Sequence, residues 1–571
     1  MKGRRPLAIW LLPTATLTPI RPLLAKELAA RGLAAEITVT GYGELDNELL
    51  RSNSKYHVAR PETTILLPDA HDLLAPIMDA PFSTGPAARE ALVAQAVARV
   101  ATAAARAAAV SREVFLTNGA WPPQTALGLL ETSPALSVGL AVAEFNRRIA
   151  EIPAQHPTVV LLDYCGLVAE AGYARFHDAR LWAHARMRLS AEGLLRLAKL
   201  LARAVAAARR RPRKCIVLDL DDTLWGGILG EAGIEGIRVG PEGVGLAFAL
   251  FQRELLEIRA RGILLAIASK NDEAHAWEAI ARHPGMVLRR EHVAAARIGW
   301  QPKTVSLREI AAELGFDLDA LVLVDDSPHE RELVRQQLPA VAVVDLPDDP
   351  ADFVPALRRC EELDTLRLTS EDQRRSQMAA EQSRRAALRE QSDDLASYLR
   401  SLEQRATVED LDENNLPRAA QLCQRTNQFN LTLRRHDAAA LADIRKGEHA
   451  GIVVRVCDRL GDSGQVGFAL ALPAPDAPGD WVLDTLVLSC RVIGRDVETV
   501  LLAELARAVQ SKGGRRLQGQ YVPGPRNEPC AQLLPRHGFR PQAGSSALWL
   551  DLVAQPIAQP ATIQVIHEKR A

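Results

Sequence analysis

Carboxylates, a lysine and a hydroxyl–amide pair fall on four separated stretches of this chain, each at the end of an apolar run. Asp219 and Asp221 stand two apart in DLDDTLWGG; Ser269, Lys270 and Asn271 follow ILLAIA; Lys303 lies in WQPK; Asp325 and Asp326 close LVLVDD. Two carboxylates at that spacing after a strand face one crevice, where Asp219 is placed to attack phosphorus and Asp221 to protonate the leaving oxygen and later activate water. Thr223 and the amides after it, with Ser269, Lys270 and Asn271, are candidate holders of phosphate oxygens. An aspartate and a phosphoryl group repel each other, so the site requires a divalent cation and fixed positive charge. Asp325 and Asp326 are hard oxygen ligands suited to Mg²⁺, and Lys303 supplies the charge. DLDDT alone would serve equally well as a turn or helix cap; the ordered set carries the reading.

Strands must aim these groups. CIVLDL, ILLAIAS, LVLVDD and AVAVVDL alternate with amphipathic helical stretches, which predicts a parallel, doubly wound sheet with its crevice at the strands' carboxyl ends. An earlier region repeats the logic with LAIWLL, AEITVT, TTILLP, EVFLT and TVVLLDY. The basic run RRRPRK, Arg209 to Lys214, separates the two and reads either as a solvated linker or as a polyanion-binding patch. Beyond Ala406, GIVVRVCDRL, QVGFALALP and WVLDTLVLS precede a helix near Val497 to Ser511, an α+β order. The expected divisions are 1–210, 211–362, a charged helical connector over 363–405, a third domain over 406–555 and a tail over 556–571.

Composition narrows the partners. Among 571 residues, 69 basic and 70 acidic side chains leave a net charge of −1, which gives no bulk attraction to nucleic acid or membrane. The 7 cysteines are widely spaced without a C-x-x-C pair, pointing to reduced thiols in the cytoplasm and away from zinc. The opening MKGRRPLAIWLLP imitates a signal sequence but breaks at Pro13 and Pro19, and reads as a buried first strand.

The set Asp219/Asp221, Ser269, Lys303 and Asp325/Asp326 resembles the haloacid-dehalogenase (HAD) phosphatase superfamily. KCIVLDLDDTLWGGILGE, IASKND, HPGMVLR, GWQPK and LVDDSPHERELVRQQLP resemble, more narrowly, its FkbH-like subgroup, over about Lys214 to Glu362. The resemblance implies Asp219 as nucleophile, Asp221 as acid/base, and Mg²⁺ held by Asp219, the Asp221 carbonyl and the Asp325/Asp326 pair. Both places where such enzymes insert caps are short here: about twenty residues after Leu224, enough for a hairpin flap, and a helix plus an edge strand between Glu273 and Trp300. An uncapped crevice suits a substrate delivered on a macromolecule.

In the third domain TNQFNLT, DRLGDSGQVG, LSCRVIGRDVE and HGF resemble a GNAT acyltransferase fold. That resemblance makes Arg491, Gly494 and Arg495 candidate contacts for a pantetheine-type cofactor, with Asp496 where Gly or Ala is usual, so that a carrier protein's pantetheine arm fits better than acetyl-CoA. Cys490 beside this loop is a candidate acyl-thioester carrier or a plain buried thiol; Cys215 shares the ambiguity but lies at the wrong strand end. The first domain resembles an SGNH-hydrolase-like domain through Asn118-Gly119 and the pair Asp178 and His184, with LLPTAT where a nucleophilic serine is expected, which reads as a degenerate docking domain. The fold class is therefore α/β, a HAD-type Rossmann-like domain between an SGNH-like α/β domain and a GNAT-like α+β domain. FkbH-like resemblance implies removal of phosphate from 1,3-bisphosphoglycerate, a phosphorylated three-carbon acid, and loading of the glyceryl group onto an acyl carrier protein for polyketide or related biosynthesis. A plain phosphatase acting on another small or carrier-tethered phosphoester stands as the alternative, and a non-enzymatic scaffold disagrees with the intact Asp219, Asp221 and Lys303.

Overall fold

The computed structural model describes residues 6–368, 392–426, 428–475, 477–524, 527–542 and 547–567, with 372, 374, 375, 378, 381, 384, 385, 388 and 389. The side chains of Arg425 and Cys490 lie outside what it describes. The chain divides into two compact units, residues 1–212 with 358–367, and residues 213–357 with 368–571.

In the first unit, β1 (Leu7–Pro13), β2 (Ala35–Val39), β3 (Thr63–Leu67), β4 (Glu113–Thr117) and β5 (Val159–Leu162) form a parallel sheet of order β2-β1-β3-β4-β5. Trp10 and Leu12 of β1 enter one core while Ile9 and Leu11 enter the other. Burial on both faces is why LAIWLL is a continuous apolar run rather than an alternating one. The helix Pro86–Val110 is, among the described residues, the one long and apolar enough to cross a membrane; here its Val93, Ala96, Val100 and Ala103 pack into a core of this unit. Residues 358–362, expected to end the second domain, and 363–367, expected to open the connector, belong to the first unit. Ion pairs explain the difference: Glu361 takes Arg31 at 2.5 Å and Asp364 takes Arg203 at 2.5 Å.

The second unit opens with β6 (Cys215–Leu218), β7 (Leu264–Ser269), β8 (Val293–Ile298), β9 (Leu321–Asp325) and β10 (Ala342–Asp345), all parallel, in the order β10-β9-β6-β7-β8. From β6 the chain builds outward through β7 and β8, then returns to lay β9 on the other side. The topological switch point therefore falls between β6 and β9, whose carboxyl ends carry Asp219 and Asp325. The expected hairpin flap has an antiparallel stem, where Gly226 and Arg238 exchange both backbone hydrogen bonds at 3.0 and 2.8 Å, and its tip is short helical turns over Leu229–Gly236, broken at Gly233 with φ 69°. A buried amide ties the flap to the domain: Gln252 donates to the Leu224 carbonyl at 2.7 Å and accepts from the Val287 and Leu288 amides at 2.9 and 2.8 Å.

The third sheet comprises β11 (Gln404–Asp410), β12 (Ala450–Asp458), β13 (Gly461–Pro473), β14 (Asp480–Leu488), β15 (Arg516–Gly519), β16 (Arg540–Pro541), β17 (Leu548–Asp551) and β18 (Ile563–His567). Its order is β16-β17-β15-β14-β13-β12-β11-β18. β11 to β14 run as an antiparallel meander, and the helix Val497–Ser511 crosses over to β15, parallel to β14. The expected tail is no tail: β18 pairs with β11 because Ile563 is buried in the domain's core. The connector expected over 363–405 lies partly outside the described residues and ends in the helix Leu395–Ser401. The α/β architecture expected from sequence, two parallel α/β sheets followed by an α+β sheet, is the observed one.

Replacing Gln252 by leucine leaves two amides and a carbonyl without partners in a dry interior, at about 1–3 kcal/mol each. Hydrogen exchange of the full chain is expected to speed up at Val287 and Leu288 by on the order of 10²-fold, with β1 to β5 unaffected.

Candidate active site

Three strand ends and one helix start meet at the switch point. Asp219 follows β6, its amide bonded to the Val324 carbonyl at 3.0 Å. Asp325 ends β9, fully buried, and Asp326 follows it. Lys303 begins the helix Lys303–Leu314 and is 3% exposed. Its Nζ donates to Asp219 Oδ2 at 2.6 Å and to Asp325 Oδ2. Burial opposes the ammonium's charge, but the two carboxylates outweigh it and hold Lys303 above its ordinary range. Burial and the Asp219 charge push Asp325 the other way, up to about 6 against its ordinary 3.8, although Lys303 pulls it down. Asp326 is raised for the same two reasons.

Oxygens of Asp219, Asp325 and Asp326 all lie within 4.8 Å of one another. Asp219 Oδ1 is buried with no hydrogen-bond partner. Three hard carboxylates against one ammonium, with one oxygen orphaned, fit an oxygen-liganded divalent cation. The Asp221 carboxylate is not in this group. Its Oδ1 accepts from Trp225 Nε1 at 2.9 Å and the Leu229 amide at 3.1 Å, and its Oδ2 accepts from Asn271 Nδ2 at 2.9 Å. Asp221 is thus held by the flap on one side and by the end of β7 on the other.

Several expected phosphate contacts have other occupations. Thr223 is fully buried, and its hydroxyl donates to Asp326 Oδ1 and accepts from the Asp326 amide, both at 3.1 Å, so it orients a carboxylate instead of facing the crevice. Asn271 holds Asp221, and Lys270 pairs with Glu330 at 2.6 Å. Ser269, 4% exposed, lies 3.5 Å from Asn271 Nδ2. Sequence reasoning missed two positioning residues. Trp225 stands in the WGG that marks the flap, yet nothing in its spacing from Asp221 announces an indole hydrogen bond. Arg331 donates to the carbonyls of Asp325 and Asp326 at 2.7 and 2.6 Å; its signal was only its place in the helix after LVLVDD.

No protein-family model matches the chain, and no curated protein is significantly similar to it. Among solved structures, the N-terminal part of protein BF1531 from Bacteroides fragilis, containing a phosphatase domain and complexed with Mg, is similar at 27% identity over 63% of this chain and 94% of its own, with a TM-score of 0.58. The ribosomal-protein-S18-alanine N-acetyltransferase of Escherichia coli covers 27% of this chain and 96% of its own at 17% identity and TM-score 0.20. The GNAT domain of S. lividans PAT covers 25% and 89% at 14% identity and TM-score 0.20.

The flanking candidates fare differently. Arg495 is 4% exposed and donates to Asp458 at 2.6 Å and Gln404 at 2.8 Å, with its Nη1 buried and without a hydrogen-bond partner among the described residues. Gly494 adopts φ 73°, and Arg491 points at the Met378 sulfur, 2.8 Å away. Cys490 begins a short 3₁₀ turn, Cys490–Val492, with its side chain outside the described residues. Cys215 is buried at the start of β6, the end away from Asp219, and burial pushes its thiol far up. In the first unit Asp178 caps the helix Ala179–Ala185 through the Arg180 and Leu181 amides, at 2.9 and 3.1 Å, while His184 is exposed; the two form no pair. Asn118 bonds Asp163 and the Cys165 amide at 2.8 and 2.7 Å, and the Gly119 amide bonds Asn146 at 2.8 Å. Thr14 stands where a serine was expected, its hydroxyl accepting from the Asp69 amide at 2.8 Å.

Lys303→Met strands the Asp219 and Asp325 charges and is expected to cost about 3–5 kcal/mol. Thermal unfolding checks this, and added divalent cation should recover more for the variant than for the native chain. Because the folded-state value for Asp325, about 6, lies above its ordinary 3.8, the cation-free fold loses stability as pH rises between them. The gain in melting temperature from a divalent cation should therefore be largest above about pH 6 and fade below it.

Proposed function

We propose that the chain is a Mg²⁺-dependent phosphatase and acyltransferase of FkbH-like type, which removes phosphate from 1,3-bisphosphoglycerate and loads the glyceryl group onto an acyl carrier protein. The observation that carries the phosphoryl half is the buried Lys303 bridging Asp219 and Asp325 beside an unpartnered Asp219 oxygen. The similarity to a phosphatase domain complexed with Mg supports the same reading. Asp219, Asp325 and Asp326 are the residues that would hold Mg²⁺, which when bound offsets the charge of the phosphoryl oxygens.

Asp219 attacks phosphorus while Lys303 keeps its carboxylate fixed and shares the negative charge that builds up around it. Asp221, aimed by Trp225, the Leu229 amide and Asn271, serves the leaving oxygen and then the attacking water. The acyl phosphate of a bisphosphorylated three-carbon acid is already an activated acyl donor, so one substrate supplies both a monoester for the aspartate site and an acyl group for transfer. Cys490 is the candidate thioester carrier, and Arg491 and Gly494 the candidate pantetheine contacts. One observation favours the plain phosphatase reading: Arg495, expected to meet the cofactor, is locked to Asp458.

Intact-mass analysis decides between them. Phosphopantetheinylated carrier protein is incubated with the full chain, Mg²⁺ and enzymatically generated 1,3-bisphosphoglycerate, with Asp219→Asn as control. The expected result is a glyceryl mass gain that the control loses; phosphate release without an adduct across several carriers assigns the chain to the phosphatase reading. Trp225→Phe keeps the ring and removes one hydrogen bond to Asp221, and phosphate release should slow by about tenfold, read as kcat.

A further inference from the structure

A second acid–base pair lies in the third domain, between the TNQFNLT and LSCRVIGRDVE segments and in neither. β14 and β15 run parallel from Asp480↔Arg516 only as far as Val482↔Gln518. Beyond that point the two strands part. On the other side of β14 the ladder with β13 jumps from Leu470↔Thr485 to Ala471↔Leu483, leaving Asp484 as the extra residue of a bulge. Bulges re-aim a side chain out of the regular alternation and concentrate next to active sites.

Asp484 is 3% exposed and gathers a set of partners. Its Oδ1 accepts from His436 Nε2 at 2.7 Å and from the Thr485 hydroxyl at 2.8 Å, and its Oδ2 pairs with Arg434. The Thr432 hydroxyl donates to the Asp484 carbonyl at 2.7 Å, tying the His436 loop to the bulge. A carboxylate offers only acceptors, so the His436 proton sits on Nε2 and Nδ1 is left with a free lone pair. Among the described residues Nδ1 has no hydrogen-bond partner, and the imidazole side chain is 18% exposed. Burial, and after it the Arg434 charge, moves the ring below its ordinary value, against the opposing charge of Asp437. Farther along the parted edge, Phe429 and Leu431 bond to Leu488 and Leu486 at 2.9 and 3.0 Å, which closes that stretch and, among the described residues, leaves the bulge as the place where the strands diverge without a strand partner.

We propose that His436, oriented by Asp484, is the general base that deprotonates the acceptor thiol in acyl transfer. The inference rests on the transferase reading above and gives it a catalytic residue. As the thiol sulfur bonds to the acyl carbon, its proton passes to His436 Nδ1. The bond from the acyl carbon to its leaving group breaks, the leaving group (phosphate from an acyl phosphate, or the Cys490 thiolate from an acyl-Cys490) departs with the electron pair, and the imidazolium returns the proton to it. No external oxidant or reductant is required. A neutral imidazole suits a thiol, whose proton is only about two pKa units more tightly held, far better than an alcohol.

The test measures acyl transfer to phosphopantetheinylated carrier protein, and to free pantetheine in parallel, alongside phosphate release, using the full chain with Mg²⁺ and 1,3-bisphosphoglycerate. His436→Gln keeps a donor toward Asp484 but no base. Transfer is expected to fall by about 10²-fold, and with it the phosphate that transfer itself releases, while phosphate release measured without carrier or pantetheine is unchanged, and Asp484→Asn is expected to lower transfer in the same direction. His436→Ala opens space at the pair, and free imidazole should restore transfer to that variant. A purely structural pair would not respond to imidazole. Native-like transfer by His436→Gln, or a folded His436→Ala that imidazole does not rescue, overturns the base assignment while the transferase reading stands. Absence of any adduct from the native chain overturns both. Acylation of an amine but not of pantetheine overturns the thiol as acceptor.

Discussion

The ammonium of Lys303, closed off from water between two carboxylates, is the interaction on which the site depends. A lysine 3% exposed survives only if paired, and Asp219 and Asp325 provide that pairing from adjacent strands. The residues involved are separated by 84 and 22 positions in the chain, so one contact fixes the register of β6, β9 and a helix start together. The pairing is incomplete by design of charge: three carboxylates share one ammonium, and the surplus shows as an Asp325 held near 6 and an Asp219 oxygen with no partner. Positive charge from outside the chain completes the site, which couples the binding of a cation to the stability of the sheet that presents it.

Around that centre, side chains that look like ligand contacts act as supports. Thr223 steers Asp326, Asn271 and Trp225 steer Asp221, and Arg331 holds the carbonyls of Asp325 and Asp326. The same conversion occurs in the third domain, where Arg495 joins Arg385 on Asp458 rather than facing an anion. A buried guanidinium is stabilised by a fixed carboxylate at hand, and Asp458 is itself held below the usual carboxylate range by Arg385 and Arg495 despite its burial.

The parallel strands were legible because burial on both faces writes itself as uninterrupted apolar runs, and the four strand-end signals followed in order. β15 to β18 were not legible. They are two to five residues long, and a strand of that length is decided by its neighbours' edges more than by its own pattern. The hairpin flap was legible from its glycines, and its Gly226–Arg238 stem is antiparallel; the helical turns at its tip, broken at Gly233, were not.

Sequence by itself determined the chemistry available at the switch point: carboxylates, lysine and amide at the ends of recognisable strands, in an order that parallel-sheet topology must bring together. Tertiary structure alone decided which groups face the crevice and which hold others in place, because that depends on partners remote in the chain. His436 and Asp484 illustrate the limit. They lie 48 residues apart with no spacing rule to join them, and only a bulge in β14 turns the carboxylate toward the imidazole.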